Sequence, residues 1–258
     1  MADYKPVAPG WNEIIALYGQ PRVVGMVFLG FSAGLPFLLV FSTLSAWLRD
    51  AGVALGTIGF FSWVGITYSI KVFWAPVIDR LGLPFLTPVL GQRRSWMLLA
   101  QLIIASGLAA MAFTEPLAHL GMIAVFALVV AFGSATQDIT IDAYRIEAME
   151  VKYQGAMAAA YVFGYRVALL VAGAGAFYLA DFHNWSFAYQ VMSLLMLVGI
   201  STTLIIDEPE HRPEPSAQQL EQRLELALGV REHAAAWQRL SAWFVDAVVN
   251  RKSTRLNS

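Results

Sequence analysis

The sequence predicts an all-α membrane protein of six transmembrane helices followed by a cytoplasmic amphipathic helix, and three observations carry that expectation. First, the 258 residues are 58% hydrophobic and only 14% charged, with a mean hydropathy of +0.59, whereas soluble domains carry about a quarter charged residues. Second, apolar segments near residues 23–48, 55–77, 95–113, 120–141, 155–179 and 187–206 are each long enough to cross a bilayer. A spanning segment must be helical, because an open strand would leave backbone polar groups unpaired in lipid. Third, the loop charges alternate. Arg80, Arg93, Arg94, Arg145 and Lys152 fall on one side, which also receives Lys5, Arg22 and the tail; the other side has Arg49 alone beside Asp50, Glu115 and Asp181. The positive-inside rule then places both termini in the cytoplasm.

Composition also excludes. A net charge of -1 offers no general attraction for nucleic acid, and the absence of cysteine removes disulfides, thiolate metal sites and a cysteine nucleophile. The start, Met1 to Lys5, lacks a basic region feeding a short apolar core, so no cleavable signal peptide is visible.

Taken in order, residues 1–22 are mixed, with Trp11, Ile14, Ile15 and Leu17 suggesting a short interfacial helix. The first span, within the bundle of residues 23–206, holds Gly25, Gly30 and Gly34, whose small size permits close helix approach, and Leu35-Pro36, which can bend it where a gate would move. Small residues are dense again in the third and fifth spans, from Ala100 to Ala110 and from Gly155 to Gly175. Three prolines between Asp207 and Pro215 stop the last span. Residues 207–250 then form a cytoplasmic linker and a helical stretch over about 216–249. There Trp237, Leu240, Phe244, Ala247 and Val248 recur at helical spacing, as in a helix lying on the membrane surface. Residues 251–258 end abruptly and read as added or truncated sequence.

The fourth span carries the chemistry. Ser134, Asp138, Asp142 and Arg145 follow one another at spacings of four, four and three, so they share one narrow helix face. A charge near the bilayer centre costs about 2.5–3.5 kcal/mol on insertion scales, so this stripe must face other helices or water. Lys71 interrupts the second span and Arg166 the fifth. Two cations and two anions, all facing lipid, would oppose insertion by roughly 10–14 kcal/mol on the same scale. Pairing among them is the least costly arrangement. A carrier needs such a set, because a proton or an anionic substrate can exchange partners with a buried ion pair as a cavity opens to either side. A static charge clamp is the other reading. Tyr68, Gln137, Tyr161 and Tyr165 lie near these charges and offer hydrogen bonds and stacking to a sugar or peptide.

Between the second and third spans, Asp79-Arg80 and then Arg93-Arg94 resemble the loop signature of the major facilitator superfamily, although Ala75 replaces the usual glycine and residues 83–90 are inserted. The resemblance implies that the chain is the N-terminal six-helix half of that fold. It also implies that Asp79, Arg80, Arg93, Arg94 and, more distantly, Arg145 stabilise one facing of the carrier.

Read together, Gly30-Phe-Ser-Ala-Gly-Leu-Pro36, Thr57-Ile-Gly-Phe-Phe-Ser62, Lys71-Val-Phe-Trp-Ala-Pro76, Arg93-Arg-Ser-Trp96, Ser134-Ala-Thr-Gln-Asp-Ile139, Asp142-Ala-Tyr144 and Gly164-Tyr-Arg166 are similar to the AmpG-type muropeptide permeases over residues 23–210. That similarity implies proton-driven import of anhydromuropeptides across a bacterial inner membrane, with a C-terminal six-helix half as partner. Lys71, Gln137, Asp138, Asp142 and Arg166 fall on matching positions of its motifs. Two further readings stand beside it: a same-fold carrier of a peptide, drug or acyl-CoA, and a membrane enzyme with a divalent metal on Asp138 and Asp142. No catalytic residues, metal ligands or cofactor are expected, since nothing resembles a phosphate loop, a Ser-His-Asp set or a zinc cluster.

Overall fold

The computed structural model describes residues 16–209, and every regular element among them is helical. The expectations at Trp11, Ile14 and Ile15, over residues 216–249 and at the tail 251–258 lie outside the described residues. The chain runs through α1 (Pro21–Val40), α2 (Ser42–Asp50), α3 (Leu55–Phe60), α4 (Gly65–Ile70), α5 (Ala75–Arg80), α6 (Thr87–Leu90), α7 (Gln92–Ala112), α8 (Leu120–Ala148), α9 (Gln154–Leu170), α10 (Ala176–Phe182) and α11 (Trp185–Ile205).

Five helical stretches among the described residues are long and apolar enough to cross a membrane: Pro21–Asp50, Gln92–Ala112, Leu120–Ala148, Val151–Phe182 and Trp185–Ile205. They coincide with five of the six apolar segments read from the sequence. The remaining segment is helical but in pieces, α3, α4 and α5, joined by 3-10 turns at Phe61–Val64 and Lys71–Phe73. The second turn has a cause in the sequence. Pro76 cannot donate to the carbonyl of Val72, and its ring crowds that turn, so the α-helical ladder opens just before it.

Two other irregularities sit in the long stretches. The first span breaks at Phe41 (φ -116°, ψ -99°), beyond Pro36 rather than at it. Between α9 and α10, Val171–Gly175 widens to a π-helical turn. The Thr43 hydroxyl, from α2, donates to the Ala172 carbonyl of that turn at 2.9 Å and so satisfies one of its acceptors.

In the bundle, α9 lies along α1, α7 along α8, α11 against α7 and α1, and the pieces of the second span against α8. The α1–α9 crossing is a backbone-to-backbone contact. A Cβ at Gly164 would overlap the Val27 carbonyl, one at Gly30 would overlap the Tyr161 carbonyl, and one at Gly34 would lie 2.6 Å from the Tyr165 carbonyl oxygen. Small residues are what allow helices to meet this closely in lipid, where no hydrophobic force drives them together. Two apolar clusters fill the interior, one around Leu39, Leu44, Leu108 and Tyr189, the other around Met26, Leu29, Met97 and Tyr144.

Candidate functional site

Two charged layers emerge, one within the bundle and one at the helix ends around Asp79, Arg93 and Arg94. Within the bundle, Lys71 on its 3-10 turn and Asp138 on α8 form an ion pair, Nζ to Oδ2 at 3.5 Å, with side chains 33% and 21% exposed. The other carboxylate oxygen, Oδ1, is buried and makes no hydrogen bond. Tyr68, one turn before Lys71, sets its ring 6.2 Å from that of Phe37 and 5.9 Å from that of Phe41. Its buried hydroxyl lies near Ser134 and Asp138 but closes no hydrogen bond. From α9, Tyr161 and Tyr165 stand with ring centroids 6.0 Å apart. Both lie within electrostatic reach of Asp138.

The stripe read along α8 opens progressively. Ser134 is buried, Asp138 is partly covered and Asp142 is exposed. Asp142 pairs with Arg145 at 3.3 Å, one turn along the same helix. Gln137 is wholly buried, and its Nε2 donates to the Ser32 hydroxyl at 2.7 Å, so its amide faces α1 rather than an open surface.

Arg166 departs from expectation. It is exposed on α9 and makes no ion pair among the described residues, so the four charges do not close on one another. The reason is angular. Gly164 and Ala168 turn inward to α1, and at 100° per residue Arg166 is carried to the opposite face.

At the helix ends, Arg93 is 6% exposed. Its Nε and Nη2 donate to the Glu147 carboxylate at 3.1 and 2.7 Å, and its Nη1 to Asp79 at 2.7 Å. The Glu208 carboxylate accepts from the backbone N–H groups of Arg93 and Arg94, at 2.7 and 3.0 Å, capping the N-terminus of α7. The Arg94 guanidinium in turn donates to the Thr203 and Leu204 carbonyls, each at 2.8 Å, capping the C-terminus of α11. Two helix ends thus satisfy each other. Gly91 makes this possible on two counts: its φ is +87°, and a Cβ there would overlap the Glu208 carboxyl group. The neighbouring Gln92 amide donates to the Ile78 and Asp79 carbonyls at 3.0 and 2.6 Å.

Of the predicted loop residues, Asp79, Arg93 and Arg94 therefore come together. Arg80 is exposed at the end of α5, and Arg145 bonds Asp142 within α8 instead. Sequence reasoning missed Glu147 and Glu208, which supply most of the acceptors. Glu147 had a faint signal, two residues beyond Arg145; nothing local distinguishes it from Glu150, whose partner is Lys152 at 3.0 Å. Ser32, Gln101 and Thr203 were missed as well, being short or neutral polar residues inside apolar runs. Among the described residues no group of three or more His, Cys, Asp or Glu side chains comes together as a metal site.

Comparison with known proteins gives these arrangements a context. The family model of the Major Facilitator Superfamily matches residues 26–249. The chain is 40% identical over 199 residues to an anhydromuropeptide permease of Escherichia coli (strain K12), covering 77% of this chain and 40% of the relative. It is 34% identical over 200 residues to the putative transporter AmpG 4 of Rickettsia conorii, covering 77% and 48%. To an uncharacterized protein of Haemophilus influenzae it is 37% identical over 195 residues, covering 76% and 45%. The chain thus spans less than half the length of these curated relatives.

Proposed function

The chain belongs to the Major Facilitator Superfamily, and on that premise we propose that it forms the first six-helix half of a proton-driven carrier importing anhydromuropeptides across a bacterial inner membrane. It is a multi-pass membrane protein. Its relatedness to the Escherichia coli permease supports the cargo, and the greater length of the relatives supports a second half as partner. In this reading residues 1–22 and 207–250 are cytoplasmic and residues 23–206 form the bundle.

The observation that carries the reading is the Lys71–Asp138 pair, partly covered, with one carboxylate oxygen unpartnered. A proton taken by Asp138 removes the anion that holds Lys71, leaving the ammonium to meet an anionic group of the cargo. Release of the proton on the other side restores the pair. Tyr68, Tyr161 and Tyr165 supply hydrogen bonds and ring faces beside it, Gln137 holds α8 in place, and Asp142 and Arg166 extend the polar path outward. The Asp79–Arg93–Glu147 cluster, with Arg94, closes one facing of the bundle and must part in the other. Arg80 and Arg145 flank it.

The test is uptake of labelled anhydromuropeptide, expressed per inserted protein, by proteoliposomes holding the full-length protein, with and without an inward proton gradient, for the wild type and Asp138→Asn. Gradient-driven accumulation lost in the variant is expected. Accumulation indifferent to the gradient, or uptake of a different peptide, drug or acyl-CoA only, overturns the reading.

A further inference from the structure

Behind the Lys71–Asp138 pair, four polar side chains from four helices are wholly buried: Ser32 on α1, Gln101 on α7, Gln137 on α8 and Thr203 on α11. Two hydrogen bonds join them in pairs. Gln137 Nε2 donates to Ser32 Oγ at 2.7 Å, and Thr203 Oγ1 donates to Gln101 Oε1 at 3.0 Å. The pairs meet at Gly199 of α11, where a Cβ would lie 2.6 Å from Ser32 Oγ and 3.0 Å from Gln101 Nε2. The knot thus exists only because that position has no side chain. Gln101 Nε2 and Gln137 Oε1 close no bond. Apolar side chains would fill this space without leaving such atoms buried, so packing alone does not account for the set.

We propose that Ser32, Gln101, Gly199 and Thr203 are positioning residues for Asp138, acting through Gln137. The connection is geometric. Gln137 and Asp138 are consecutive on α8, so whatever fixes the first about the helix axis fixes the second. A side-chain tip stands about 5–6 Å from the axis, so a rotation of roughly 10° moves a carboxylate by about 1 Å. The Lys71–Asp138 contact, at 3.5 Å, is already long for an ion pair with a shared proton, and a change of that size breaks or tightens it. The groups facing Asp138 are Lys71 and Tyr68 from the second span, Tyr161 and Tyr165 from α9, and Asp142 on its own helix. The α1 side presents the knot.

The consequence for transport rests on the proton-coupled reading above; the positioning itself does not. The experiment uses the full-length protein and two readouts. One is carbodiimide modification of Asp138 as a function of pH, located by mass spectrometry; the other is the pH profile of uptake. Ser32→Ala, Gly199→Ala and Thr203→Val are expected to shift the midpoint of modification by about half a unit to one unit, the scale set by one hydrogen bond. Thr203→Ser, which keeps the hydroxyl, should restore it. Ser193→Ala removes a bond of the same kind between α11 and α7, the 2.8 Å contact to the Ala105 carbonyl, and should leave the midpoint unmoved. A midpoint unchanged in Ser32→Ala, the mildest replacement, overturns the proposal even if thermal stability falls. If wild-type uptake ignores the proton gradient, the functional reading fails while the modification result still decides this one.

Discussion

Removing Glu147 is expected to cost far more than removing Asp79, although the latter is the residue the loop signature displays. Both carboxylates bond Arg93, whose side chain is 7% exposed, but the Glu147 side chain is 15% exposed and the Asp79 side chain 47%. Breaking a covered ion pair leaves its partner desolvated and costs about 3–5 kcal/mol, whereas a solvated pair contributes about 0–1 kcal/mol. Glu147 also accepts two of the three Arg93 bonds, in the side-by-side geometry that suits guanidinium best. Glu147→Ala should therefore destabilise the full-length protein by about 3–5 kcal/mol and Asp79→Ala by about 1 kcal/mol or less, a ratio of more than tenfold in the folding equilibrium. Reversible unfolding in mixed micelles measures both, and a double-mutant cycle of each with Arg93→Ala isolates the pairwise coupling. Equal losses for the two variants, or a larger coupling to Asp79, would refute the assignment of Glu147 as the main partner.

Three further outcomes are expected. Lys71→Met and Asp138→Asn should each lower the yield of inserted protein by stranding the other charge, at about 2.5–3.5 kcal/mol apiece. The double variant should recover that yield; a double no better than its worse parent would mean the 3.5 Å pair is incidental. Gly164→Ala should separate α1 from α9 and abolish folded yield, since its Cβ overlaps the Val27 carbonyl. Gly121→Ala, with nothing within 4 Å, should be silent by size-exclusion profile, and equal behaviour of the two would contradict the close crossing. Glu208→Ala should cost about 0.5–2 kcal/mol, the range of a lost helix N-cap, read as a fall in unfolding midpoint. Glu208→Gln should recover part of that, and an unchanged midpoint in both would remove the cap from the account.

What the sequence determined by itself was local in origin. Hydrophobic length marked six segments, five of which are helical stretches long and apolar enough to cross a membrane, because burial in lipid depends on composition over some twenty residues, which a chain carries wherever it folds. It also required that Lys71 and Asp138 be sheltered, since the penalty belongs to the charge and not to the fold. Even the broken second span had its signal in Pro76. The choice of partners was different. Arg93 meets Glu147 across 54 residues and Gln137 meets Ser32 across 105, and no periodicity along one helix encodes which face of another it will touch. Arg166 shows this most plainly: its charge argued for an inward position, yet the glycine that brings α9 against α1 sits two residues away and turns it outward. Tertiary structure decided these matters because a hydrogen bond depends on the rotation of whole helices, and that rotation is set by where small side chains let backbones meet.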